Sequence, residues 1–237
     1  MARRDSNAGS AGPISTFFAS VLGINSVNVS TIATAALTGQ SKAGPGGLPL
    51  PVGISKYFFD QGCLDNKAIR FSPTGGDKTY DELYGKSCGG WHSYTDTKTS
   101  DSGLREILEG LNNGTFQSPE TFAGETRFNF IGGNLSEQTF EAMETLFNTM
   151  RIKNDGVYDN DTDPNTWTTT VPVYDSTNCK NPNQSLTIVG FAEVTITDVL
   201  GAPDKIIKGT IKCDYVDEGH GGGGNYGTKG SIPGLVQ

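Results

Sequence analysis

The sequence predicts a mixed α+β fold: a largely antiparallel sheet with a long C-terminal β-hairpin and a few short packing helices. The hairpin is the strongest signal. From Ile188 to Ile196 the even positions are apolar or small while Glu193, Thr195 and Thr197 are polar, which is the period-2 pattern of a half-buried strand. From Ile207 the parity inverts, with Ile207, Ile211, Cys213 and Tyr215 apolar and Lys208, Thr210, Lys212 and Asp214 polar. Leu200-Gly201-Ala202-Pro203-Asp204 between them is turn chemistry. A register centred on Gly201 and Ala202 keeps both apolar sets on one face, and it sets Ile207 opposite Ile196, Ile211 opposite Ala192 and Cys213 opposite Gly190. The second observation is a pair of amphipathic helical stretches, and the third is the short alternating run between them.

Taken from the N-terminus, residues 14–22 have helical apolar spacing and end at Gly23, and residues 27–36 read as a strand through Val27 and Val29. Residues 38–49 hold four glycines and two prolines and mark the best boundary. The expected organisation is an N-terminal helix–strand segment at 1–39, a Gly/Pro linker at 40–49 and an α+β globular domain at 50–237. After the linker, residues 51–59 read as a short helix with Pro51 near its start. Residues 68–71 and 91–94 are short strand candidates. Leu104, Ile107, Leu108 and Leu111 fall at i, i+3, i+4 and i+7 and mark a helix closed near Gly114. In residues 126–131, Phe128 and Phe130 share one face of a strand, and Ser136 then caps a second helix whose stripe is Phe140, Met143, Phe147 and Met150. Another strand begins at Trp167.

Composition bounds the function. The 237 residues carry a net charge of −8, which argues against nucleic acid or an anionic membrane surface as partner, since both need clustered Lys and Arg. No apolar run approaches the roughly 20 residues that span a bilayer. The chain is 35% hydrophobic with 32 Gly, a composition of short strands joined by loops.

Four cysteines, Cys63, Cys88, Cys179 and Cys213, stand too far apart for a CxxC metal or redox motif, and their even number favours two disulfides in an oxidising compartment. Four cysteines allow three connectivities. Local placement favours Cys63 with Cys88, closing the polar loop between them, and Cys179 with Cys213, near one end of the hairpin.

Gly85-Lys86-Ser87-Cys88-Gly89 matches GxSxG, but the flanking residues lack the strand before and helix after that a nucleophile elbow requires. A serine hydrolase would need a cleft joining Ser87 to His92 or His220. His220-Gly221-Gly222-Gly223 resembles a lipase oxyanion segment on the wrong side of the serine. The P-loop reading of Gly85-Lys86-Ser87 fails because Tyr80 stands where glycine is required. Asp155, Asp159, Asp161 and Asp163 are weak candidates for a calcium loop; Pro164 and Thr170 occupy the glycine and glutamate positions of an EF-hand. Trp91 and Trp167 suit a sugar platform or a core equally. Sequons at Asn28, Asn113, Asn134, Asn160 and Asn183 carry little weight in an Asn- and Thr-rich chain. No residue is assigned a catalytic role and no cofactor is expected.

Several segments in order carry a resemblance: SVNVSTIATAALTG at 26–39, LPVGISKYFF at 50–59, CGGWHSY at 88–94, VPVYD at 171–175, IVGFAEVTITDV at 188–199 and the terminal GSIPGLVQ. Together they resemble the TadG-like Flp pilus-assembly proteins of the bacterial tight-adherence machinery, over roughly residues 14–237. The resemblance implies a non-enzymatic envelope domain, periplasmic or extracellular, whose partners are other pilus-assembly or envelope proteins. It also implies a membrane-anchoring helix ahead of the present start, so the chain reads as the part after the anchor. Classical relatives carry a von Willebrand A-like domain with a DxSxS metal motif; here Asp175-Ser176-Thr177-Asn178-Cys179 comes closest and lacks the final serine. A calcium- or carbohydrate-binding adhesive module and a secreted hydrolase are the alternatives.

Overall fold

A computed structural model gives the fold. It describes residues 34–60, 67–71, 86–131, 135–153, 165–180, 182–213, 215–224, 226–232 and 234–236, with four two-residue strands nearer the N-terminus. In chain order the first strands are β1 (Arg3–Arg4), β2 (Ile14–Ser15), β3 (Ser26–Val27), β4 (Val29–Ser30), β5 (Thr34–Ala36), β6 (Gly39–Gln40), β7 (Lys42–Ala43) and β8 (Val52–Ser55). Then come α1 (Tyr57–Asp60), β9 (Lys67–Phe71), β10 (Lys86–Ser87), β11 (Gly89–His92), α2 (Asp101–Asn113), β12 (Thr121–Phe122), β13 (Arg127–Ile131) and α3 (Glu137–Lys153). The chain ends with β14 (Trp167–Tyr174), β15 (Ser185–Leu200), β16 (Ile206–Lys212), β17 (Tyr215–Gly223), β18 (Thr228–Ile232) and β19 (Gly234–Val236). The α+β class is therefore what the pattern predicts: a large, mostly antiparallel sheet and few helices.

The main sheet runs β10-β9-β16-β15-β13-β11-β8-β14, and β14 also pairs with β15. The pairings from β15 through β13, β11, β8 and β14 thus return to β15 and close a ring of five strands. Among the described residues, only β8 with β14 and β9 with β10 are parallel in this sheet. β15 is the spine. Every residue from Gly190 to Val194 is buried; β14 pairs along the whole stretch and β16 joins it at Glu193 and Val194.

The expected hairpin is present, with a shifted register. Val194 pairs with Ile211 and Ile196 with Gly209, so neither Ile207 with Ile196 nor Ile211 with Ala192 forms. The parity argument holds there, since a shift of two residues leaves every side chain on its face. Nearer the turn the pairing slips at Thr197, and Val199 then meets Ile207. Such a bulge kinks a strand locally and turns the hairpin end. The turn spans Gly201 to Lys205, with the Lys205 amide donating to the Gly201 carbonyl at 2.8 Å, and it is longer than the two-residue centre that fixed the expected register.

Both long helices form where the periodicity puts them. Ser100 accepts from the Gly103 amide at 3.1 Å as the N-cap of α2, and Gly114 closes that helix at φ 79°, the left-handed conformation that favours glycine. Ser136 accepts from the Thr139 amide at 3.2 Å and caps α3. Leu104, Leu108, Phe140, Met143 and Phe147 are buried. Phe140 of α3 meets Trp91 of β11 edge-on with ring centroids 5.7 Å apart, which fixes the helix layer on one face of the sheet. On the opposite face of β11, Gly90 and His92 pack against Phe128 and Phe130.

Three segment expectations need correction. Residues 51–59 are not a helix: Val52–Ser55 is a strand between β11 and β14, and only Tyr57–Asp60 makes a helical turn. Pairing with β11 and β14 makes Val52–Ser55 a strand, and the apolar Phe58 and Phe59 that follow lent the run its helical look. The helix expected at 14–22 begins instead as strand β2, paired with β3, and its other residues lie outside those described. The Gly/Pro stretch 40–49 is packed against the domain rather than a free spacer. Leu48 is fully buried, its amide donates to Ser118 Oγ at 3.1 Å, and its carbonyl accepts from the Tyr94 hydroxyl at 2.6 Å.

Candidate functional site

Ser87 lies in β10, where its backbone pairs with Arg70, and β11 follows after one residue. A strand thus succeeds the serine where an elbow requires a helix. His92 is fully buried on β11. Its ring stacks on Phe128 at 4.7 Å and meets Tyr94 edge-on at 4.6 Å. The Tyr94 amide donates to His92 Nδ1 at 3.3 Å, which puts the ring proton on Nε2, and Nε2 has no hydrogen-bond partner among the described residues. Burial in this aromatic setting lowers the imidazole pKa to about 3, so the ring stays neutral and is sealed from any substrate. His220 pairs through its backbone with Ile232 in β17, on a different sheet from Ser87. Trp91 and Trp167 are both core residues, at 2% and 0% exposure, and offer no sugar platform. The calcium candidates Asp155, Asp159, Asp161 and Asp163 lie outside the described residues, as does Cys63. Among the described residues no three His, Cys, Asp or Glu side chains converge as metal ligands.

The cysteine pairing differs from expectation. Cys88 is joined to Cys179, so neither Cys63 with Cys88 nor Cys179 with Cys213 forms. The reason is the parallel pair β8–β14, which was not read from the sequence. β8 lies between β11 and β14, the Ser55 amide donates to the Cys88 carbonyl at 2.9 Å, and the Tyr174 hydroxyl donates to the same carbonyl at 3.2 Å. The loop leaving β14 therefore passes over the start of β11 and carries Cys179 to Cys88. Ser55, fully buried, donates its hydroxyl to the Asn178 carbonyl at 2.8 Å and fixes the same loop from beneath. Cys213 is also disulfide-bonded.

Beside this staple, Lys56 pairs with Asp175. The hydrogen bond with Asp175 raises the Lys56 pKa, against an opposing effect of burial and with help from the charges of Asp175, Tyr226 and Asp60. An ammonium held charged in this way is a poor nucleophile. Burial raises the Tyr226 hydroxyl pKa, partly offset by Lys56.

Two further polar features escape sequence reading because their members come from distant segments. Arg127 of β13 donates from Nε to Ser185 Oγ at 3.2 Å, from one terminal nitrogen to Thr187 Oγ1 at 3.2 Å, and from the other to the Ser185 carbonyl at 2.9 Å, with Asp96 beside it at 3.7 Å. A cleft of about 490 Å³ between α2 and α3 is lined by Arg105, Glu109, Asn112, Gln138, Glu141 and neighbours. Charged and amide groups line it. No helix is long and apolar enough to cross a membrane among the described residues.

No protein-family model, curated protein or solved structure matches the chain. Fold and surface together define a disulfide-stapled α+β domain whose described polar groups engage one another at the surface.

Proposed function

We propose that this chain is a non-enzymatic cell-envelope domain of a Flp/Tad-type pilus-assembly protein, TadG-like, that works through contacts with other pilus-assembly or envelope proteins. The observation that carries the reading is where the resembling segments lie. Residues 50–59, 88–94, 171–175 and 188–199 supply β8, β11, the end of β14 and most of β15, and these strands are consecutive neighbours in the ring. Four of the six resembling segments thus fall on contiguous strands of the structural frame. The Cys88–Cys179 disulfide supports an oxidising compartment outside the cytoplasm.

The test is made in a bacterium that encodes this chain beside pilus-secretion genes. Deletion of the gene should abolish Flp-type pili and surface adherence while leaving growth unchanged, and an epitope-tagged copy should fractionate with the envelope and co-purify with pilus-assembly proteins. A cytoplasmic chain with reduced cysteines, or normal pili in the deletion strain, overturns the proposal.

A further inference from the structure

Asn113-Gly114 is the sole Asn-Gly dipeptide of the chain. It ends helix α2 in full view of solvent. Asn113 accepts two hydrogen bonds on its side-chain oxygen Oδ1, from the Thr115 amide at 2.9 Å and from the Thr115 hydroxyl at 2.6 Å. Gly114 is left-handed, and a side chain placed there would meet nothing within 4 Å, so nothing crowds this junction. Just beyond, the Phe116 amide donates to the Gly110 carbonyl at 3.0 Å and holds the turn closed.

From these features we propose that Asn113 is a self-modifying site, at which the folded turn promotes conversion of asparagine to aspartate and isoaspartate. The Gly114 amide nitrogen, its proton taken by hydroxide, bonds to the Asn113 side-chain carbon, and the side-chain amide leaves as ammonia. The resulting cyclic imide adds water and opens at either carbonyl, giving aspartate or isoaspartate. The net change is one water consumed and one ammonia released. During attack the negative charge collects on Oδ1, where the two Thr115 donors already point, and donors aimed at a developing oxyanion lower the barrier. Glycine as the following residue adds no side chain to obstruct the nucleophile. The product puts a carboxylate at the C-terminus of α2, the end at which the helix dipole disfavours negative charge, and the isoaspartate form also lengthens the backbone by one carbon. The site therefore turns a neutral helix end into an acidic, weakened one with age, beside the cleft to which Asn112 contributes.

The experiment ages the intact, oxidised protein in mildly alkaline buffer and follows each asparagine by peptide mapping, with an isoaspartyl methyltransferase reporting isoaspartate. Asn113 is expected to convert ahead of every other asparagine. Thr115→Ala, on the surface, should slow conversion about two- to tenfold, the rate equivalent of one ordinary hydrogen bond. Thr115→Ser, which keeps the hydroxyl, should match the parent. In strong denaturant the parent and Thr115→Ala rates should converge. An Asn113 that stays intact while other asparagines convert, or a Thr115→Ala rate equal to the parent in the folded protein, overturns the proposal. A rate difference that persists undiminished in denaturant overturns the part assigned to the folded turn.

Discussion

Asp101, the first residue of α2, grips Ser136, the N-cap of α3: the Ser136 amide donates to Asp101 Oδ1 at 2.9 Å and its hydroxyl to Oδ2 at 2.6 Å. One carboxylate thus links the starts of two helices 35 residues apart in the chain. Ser136 in turn accepts from the Thr139 amide, so the carboxylate orients a hydroxyl that is itself a cap. Replacing Asp101 with alanine removes both acceptors, and it is expected to lower stability by about 1–3 kcal/mol in urea unfolding. Asp101→Asn keeps one acceptor and should fall between the two. A parent-like midpoint for Asp101→Ala would show that the link contributes nothing.

The same pair gives a pH dependence. Partial burial raises the Asp101 pKa, but the hydrogen bonds from Ser136 and Thr139 and the charge of Arg105 outweigh it, and the net shift is downward from 3.8. The unfolded chain then takes up the proton first as pH falls. The stabilisation is complete above pH 3.8 and is lost as pH drops toward the folded value. Subtracting the pH profile of Asp101→Asn from that of the parent should isolate this loss.

His92 acts in a higher window. Its ring titrates at about 3 when folded and at 6.5 when unfolded, so between these values the unfolded chain holds a proton that the folded chain refuses. Stability contributed by the neutral ring is fully present above pH 6.5 and declines as pH falls to about 3. The loss is on the order of several kcal/mol for a fully buried imidazole. His92→Phe, which fills the same space without a proton site, should flatten the profile between these limits in chemical unfolding. An unchanged slope sinks the assignment.

Gly53 and Gly90 stand directly opposite each other on β8 and β11. A methyl at Gly53 would reach 2.9 Å from the Pro172 carbonyl and 3.3 Å from the Phe130 ring, and one at Gly90 would reach 2.9 Å from Phe130. The paired glycines make the trough in which Phe130 lies against Tyr174 at 4.4 Å. Gly53→Ala and Gly90→Ala are each expected to destabilise by about 1–3 kcal/mol through overpacking. A double mutant with Phe130→Leu should recover part of the loss, and absence of any recovery would separate the glycines from Phe130.

Non-reducing peptide mapping should recover Cys88 joined to Cys179, which leaves Cys63 and Cys213 for a second bridge. The first bridge spans 91 residues, a loop length for which restriction of the unfolded chain is worth about 4–5 kcal/mol. The double variant Cys88→Ala with Cys179→Ala should melt roughly 10 °C or more below the parent. Recovery of Cys63 joined to Cys88 would reject the connectivity.

Elements built from neighbours in sequence were legible, and contacts made by distant neighbours were not. The stripes of α2 and α3, the Ser136 cap and the shared face of Phe128 and Phe130 all follow from local periodicity. The hairpin parity was readable, while its register depended on a five-residue turn and a slip at Thr197 that alternation alone does not encode. The β8 strand was hidden because four residues cannot establish a period, and with it was hidden the parallel pairing that sends Cys179 to Cys88. Arg127 with Ser185, and Asp101 with Ser136, join residues 58 and 35 positions apart, and nothing in either segment announces the other.

Ring closure also limits how this domain meets other chains. An open sheet offers a free strand edge, whose unpaired amides and carbonyls let a partner add a strand of its own. In the ring from β15 to β14, each of the five strands pairs with two neighbours along part of its length, and those stretches of backbone are occupied within the domain, although β14 meets β8 only at Val173 and Tyr174. Along the paired stretches strand donation is blocked. A partner at the paired stretches is recognised by side chains, on the helix layer or the loops, and its binding should respond to charge reversal there rather than to backbone-mimicking peptides.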